Sequence, residues 1–140
     1  MYCDYSKLNE IDDLFVLLVD KDKSNLLRFE KKFLEYGVHV AKAESIEEAR
    51  HLVNEFSYDM IFVDVSLTDN SPCELAIESH LAHQNVPYVV AWSDLNQECA
   101  GILKQLGFDD YIFKPASFDL FHCLICQIYE KWQMTLTEAA

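Results

Sequence analysis

The sequence runs to 140 residues, 51% of them apolar, and its 24 acids against 11 Lys plus Arg leave a formal charge of -13 at pH 7. A chain of that size and apolar content suits one domain with its own core and excludes a disordered polymer. The acid excess argues against direct nucleic acid binding, which needs clustered cations, and no apolar run reaches the roughly 20 residues of a membrane span.

Residues 1–13 are polar and mixed, and read as an N-terminal extension. Residues 14–19 form an apolar strand that runs straight into Asp20, Lys21 and Asp22. A helix over residues 24–35 follows, with Leu26, Leu27, Phe29, Phe33 and Leu34 on a broad apolar face and Gly37 as its stop. Residues 38–41 make a short second strand. Ser45 with Glu48 three positions later is a capping box, and the helix it opens runs to Phe56.

The next stretch organises the rest. Met60, Ile61, Phe62 and Val63 are an unbroken apolar run of the kind found in a strand buried on both faces, and Asp64 stands at its end. Ser71, Pro72 and Glu74 open a third helix. Residues 86–92 form a fourth strand, limited near its start by Pro87. Asp94 can cap a helix through Leu106, and Gly107 ends it. Tyr111, Ile112 and Phe113 form a fifth strand ending at Lys114 and Pro115. The last helix covers residues 117–132, before a polar tail at 134–140.

Strands and helices alternate five times. That pattern calls for a parallel sheet with helices on both faces, in one domain over residues 14–133. Open sheets of this kind place their chemistry just outside the carboxyl ends of the strands. Asp64, the Asp20–Asp22 segment, Ser93 and Lys114 all fall there. The chemistry suggested is phosphorylation of a carboxylate. Asp64 would be the nucleophile, a divalent ion would hold the phosphoryl group, and Lys114 and Ser93 would bind its oxygens.

With LLVDKD, FVDV, VAWSD and GFDDYIFKP in this order, the chain resembles the receiver domain of bacterial two-component response regulators over about residues 15–132. The resemblance implies a three-layer α/β/α, flavodoxin-like sheet of five parallel strands in order 2-1-3-4-5. It makes Asp64 the phosphoacceptor, Asp20 a metal-pocket acid, Ser93 the phosphate-sensing hydroxyl, Tyr111 the aromatic switch and Lys114 the phosphate-contacting lysine. It also implies Mg²⁺ held by Asp20 and Asp64, a histidine kinase or phosphotransfer protein as donor, and a downstream protein as receiver of the signal. The chain departs from the family at Lys21, where a second acid is usual, and at Thr68 and Pro72, where Pro and Gly are common. Lys21 is expected to reach Asp64 and weaken Mg²⁺ binding. The alternative is a pseudo-receiver, an interaction module with the fold but little metal-dependent phosphorylation.

Simpler readings stand beside these. Asp20 and Asp22 can end a strand and cap a helix, Ser93 can be helix-entry chemistry, and Tyr111 can be a strand aromatic. His122, Cys123 and Cys126 share a helix face, but helical cysteines among Leu124 and Ile125 read as small packing residues. A flavin-binding redox protein lacks its phosphate-binding loops here. The five scattered cysteines, with no secretory signal ahead of them, point to reduced thiols in a cytoplasmic protein. The last helix carries more large apolar residues than one stripe needs, so some combination of Phe118, Cys126 and Tyr129 is expected nearer its rim, where it favours a homodimer, the alternative being a cover folded back from residues 1–13.

Overall fold

In the computed structural model, five parallel strands form one sheet in the order β2-β1-β3-β4-β5. The strands are β1 (Phe15–Val19), β2 (His39–Ala43), β3 (Met60–Val65), β4 (Tyr88–Ser93) and β5 (Asp110–Phe113). The helices are α1 (Lys23–Glu35), α2 (Ile46–Glu55), α3 (Ser71–Ala82), α4 (Ala100–Gln105) and α5 (Phe121–Ala139). The structure describes residues 14–65, 71–82, 86–93, 99–113 and 121–139. The extension at 1–13, Thr68, Asp94, Lys114, Phe118 and the side chains of His122 and Cys123 lie outside that description.

Alternation along each strand sorts the core into two halves. Val16, Leu18, Met60, Phe62, Val90 and Trp92 face α1 and α5, where Leu26, Phe29, Phe33, Ile125, Ile128 and Tyr129 cover them. Leu17, Val19, Ile61, Val63, Val89 and Ala91 face the other way, against Ala49, Val53, Leu75, Ala76 and Leu103 from α2, α3 and α4. Leu17, Ile61 and Val63 are fully buried. Full burial of such a side chain contributes about 1.5–3 kcal/mol. The continuous apolar runs are therefore a consequence of a sheet covered on both sides. This is the expected three-layer α/β/α, flavodoxin-like arrangement.

Local chemistry sets the helix ends. The Asp22 side chain accepts from the Ser24 backbone N–H at 2.9 Å, so α1 begins one residue earlier than its apolar pattern predicts. The Ser45 hydroxyl accepts from the Glu48 N–H at 3.1 Å, while the Glu48 carboxylate accepts from the Glu44 N–H. Gly37 and Gly107 take φ of 78° and 109°, the left-handed backbone that lets the chain turn off α1 and α4.

Three expectations need correction. Lys42 and Ala43 belong to β2, because the Val19↔Ala43 pairing carries that strand two residues further. The last helix does not stop near Trp132 but continues to Ala139, so the polar residues 134–139 are its final turns. Cys126 and Tyr129 are buried at 6% and 4% exposure, not at a rim. Tyr129 packs in the core beside Trp132, and its hydroxyl accepts from the Gln133 amide at 3.0 Å.

Candidate functional site

The C-terminal ends of β1 and β3 build the site. Val19 is paired with Val63, which carries Asp20 and Asp64 to neighbouring positions on strands that lie about 4.8 Å apart. Both acids follow the alternation of Leu18 and Phe62, so they share the face toward α1 and α5. Asp20 is 4% exposed, whereas Asp64 is half-buried.

A buried carboxylate needs hydrogen bonds, and Asp20 has them on both oxygens. Its Oδ1 accepts from the Asp22 backbone N–H at 2.9 Å, and its Oδ2 accepts from the Asn25 side-chain amide at 3.2 Å. Asn25 escapes a sequence reading because it is a polar residue in the first turn of a helix, ordinary there. Only the turn after β1 brings it back onto Asp20. Asp22 is exposed and spends its carboxylate on capping α1, which is the simpler of its two readings.

Lys21 is exposed, and among the described residues no ion pair reaches it. The expected pairing with Asp64 is absent. Successive residues leaving a strand point in opposite directions, so the side chain that follows Asp20 diverges from the shared acid face.

The strand register also divides the remaining candidates. Asp64 is paired with Trp92, and Val65 with Ser93. Trp92 therefore stands directly beside Asp64 on the acid face, while Ser93 lies one step further and on the other face. Ser93 is fully buried. It pairs with Phe113 on β5, as Ala91 does with Tyr111. The Tyr111 and Phe113 rings lie 4.8 Å apart, tilted by 46°, on the edge of the core half toward α2–α4. The structure thus gathers Asp20, Asp64 and Trp92 on one face, and Ser93, Tyr111 and Phe113 on the other.

The paired acids of GFDDYIFKP sit at the far end of the sheet. Asp109 accepts from the Val89 N–H at 2.7 Å and meets His80 Nε2 at 2.8 Å. Asp110 is 5% exposed and holds Tyr88 Oη at 3.1 Å, the Tyr111 N–H at 2.8 Å and Lys131 Nζ at 3.3 Å. Burial first, then the neighbouring Asp110, pushes the Tyr88 phenol well above its ordinary value of 10.0. These residues fasten β4, β5 and α5 together.

Comparison with known proteins matches the model of the response regulator receiver domain to residues 16–125. The chain belongs to that family. The receiver is similar to the transcriptional regulatory protein ZraR of Escherichia coli K12, with 26% identity over 108 residues, which cover 77% of this chain and 24% of that protein. The receiver thus spans about a quarter of the length of the curated relatives it matches. Among solved structures, the receiver domain of the Francisella response regulator 1452 is 28% identical, with a TM-score of 0.71, 85% of this chain and 98% of that one covered. The response regulator TrrA of Thermotoga maritima, solved with Mg²⁺ and BeF, has the same fold at 20% identity, with a TM-score of 0.68, covering 83% and 99%.

As a receiver, the protein presents a thin donor set for a divalent cation. Among the described residues no group of three or more His, Cys, Asp or Glu gathers to hold a metal. Asp20 and Asp64 remain, and two carboxylates with water fit the oxygen preference of Mg²⁺. Among the described residues no helix is long and apolar enough to cross a membrane.

Proposed function

We propose that this receiver accepts a phosphoryl group on Asp64 within a two-component phosphorelay and signals through a protein surface. The observation that carries the reading is the pairing of Asp20 and Asp64 at adjacent strand ends, with Asp64 the more accessible of the two. An Asp64 carboxylate oxygen attacks phosphorus and the new P–O bond forms. The bond that breaks is the P–N bond of a phosphohistidine on a histidine kinase or phosphotransfer protein, and the imidazole leaves. Asp20, fixed by Asn25 and the Asp22 N–H, presents a rigid second carboxylate.

Asp20 and Asp64 would hold Mg²⁺, which supplies positive charge to the phosphoryl oxygens. Lys114 contributes an ammonium for the same oxygens, and Ser93 with Tyr111 forms the element that responds. Lys21 leaves the acid pocket one carboxylate short, so Mg²⁺ binds weakly. The signal passes to a downstream protein, and the strong acid excess disfavours direct contact of this segment with nucleic acid phosphates.

The test is intact mass after incubation with acetyl phosphate and Mg²⁺. A gain of one phosphoryl group by the wild type and none by Asp64→Asn supports the reading. No gain under saturating donor favours the pseudo-receiver.

A further inference from the structure

The resemblance assigns no part to Trp92, and the register makes it the cross-strand neighbour of Asp64. We propose that Trp92 is a positioning residue, an aromatic floor that holds the Asp20 and Asp64 carboxylates in place for phosphoryl transfer. The inference rests on the reading of Asp64 as phosphoacceptor.

The geometry is specific. Trp92 is 7% exposed and shares its face of the sheet with Phe62, the residue two before Asp64. A cavity of about 10 Å³ is lined by Asp20 on β1, Phe62 on β3, Trp92 on β4, and Leu26 and Phe29 on α1. Asp20 and Trp92 stand on strands either side of β3, yet they border one cavity. The indole therefore approaches Asp20 from the far side of β3, on the face of the sheet that Asp64 shares. There it meets Phe29 edge to face, with centroids 4.6 Å apart and planes at 90°. That arrangement suits the opposed charges of ring face and ring edge, and it fixes the indole in one orientation.

The same helix holds the other acid. Asn25, one turn before Phe29, donates to Asp20. The wall and the floor of the pocket are thus both tied to α1, and a floor that small leaves room for about one water. A smaller aliphatic residue at 92 would open a void beside Asp20 and next to the strand end that carries Asp64, and so loosen the placement of the acid pair. Phosphoryl transfer depends on in-line placement, where about 1 Å of misplacement can cost roughly a hundredfold.

Two readouts separate positioning from simple core packing. Trp92 and Trp132 are the chain's two tryptophans, so Trp132→Phe leaves Trp92 as the reporter. Emission of that variant is recorded while acetyl phosphate and Mg²⁺ are added and phosphoryl occupancy is followed by intact mass. The emission is expected to change in step with occupancy, and to stay constant once Asp64→Asn is added. In parallel, Trp92→Phe should keep a rate near that of the wild type, because it retains an aromatic floor. Trp92→Leu should react about tenfold more slowly while its circular dichroism stays native.

Occupancy rising with unmoved Trp92 emission would overturn the proposal. So would a folded Trp92→Leu that reacts at the wild-type rate. If Trp92→Leu does not fold, the emission experiment decides alone. If the wild type gains no phosphoryl group, the Asp64 reading falls, and this inference falls with it.

Discussion

At the residue scale, the pocket is decided by where consecutive side chains point. Asp20 turns inward and is met by two donors, Lys21 turns outward, and Asp22 caps α1. A spare carboxylate at position 21 would add charge near the two acids without disturbing the core. Lys21→Asp is therefore expected to tighten Mg²⁺ by about tenfold or more, as measured by calorimetric titration. Equal affinities in the two proteins would remove charge at position 21 as a determinant of Mg²⁺ affinity. Removing the cap has a different signature. Asp22→Ala should cost about 1 kcal/mol of stability in urea unfolding and leave the Asp20 contacts in place. The acids themselves were legible in the sequence, because each ends an apolar run. Asn25 and Trp92 were not. Their roles depend on a turn that folds α1 back over β1 and on a register between β3 and β4, and neither is written in local spacing.

At the element scale, the strands were easier to read than their partners. Apolar runs mark β1, β3 and β4 because helices cover both faces, while β2 at the edge shows only a mixed pattern that hides its last two residues. The apolar period of the last helix ends at Trp132, and its polar final turns, rich in good helix formers, continue to Ala139. Two joints between elements lend themselves to measurement. Gly107 has φ of 109°, and a Cβ there would come within 3.2 Å of Ile77 Cγ1 on α3. Gly107→Ala is expected to destabilise by about 1–2 kcal/mol through the left-handed backbone alone, read from thermal unfolding.

The second joint is the Tyr88–Asp110–Lys131 cluster. Burial, with Asp110 next to it, raises the folded phenol above the unfolded value of 10.0, so the folded state holds this proton more tightly. The stability this contributes is fully present below pH 10.0 and is lost as pH rises above it toward the folded value. Urea unfolding across that alkaline range should show stability falling with pH in the wild type and falling less in Tyr88→Phe. Parallel slopes in the two proteins would show that Tyr88 is not the group responsible.

For the whole molecule, the alternation of five strands and five helices calls for a parallel sheet covered on both faces, and the order 2-1-3-4-5 that the receiver resemblance implies is the one observed. The expectation of a two-fold interface fared differently. It drew on Cys126 and Tyr129 at a rim, and their burial withdraws that support. Tyr129→Glu would place a carboxylate in the core rather than probe a surface. An excess of apolar residues on a helix has two outlets, a partner or a broader contact with its own sheet, and periodicity alone does not choose between them. Here the contact with the sheet accounts for Ile125, Ile128 and Tyr129.

The central claim is that the acid pair at the ends of β1 and β3 still performs receiver chemistry on Asp64, with Lys21 in the place of one acid. Mass spectrometry of the intact protein, after saturating acetyl phosphate over a series of Mg²⁺ concentrations, tests it most directly. The predicted result is one added phosphoryl group on the wild type, reached only at high Mg²⁺, at lower Mg²⁺ for Lys21→Asp, and never for Asp64→Asn. An unmodified wild type at every Mg²⁺ concentration, or an equal gain by Asp64→Asn, would contradict it.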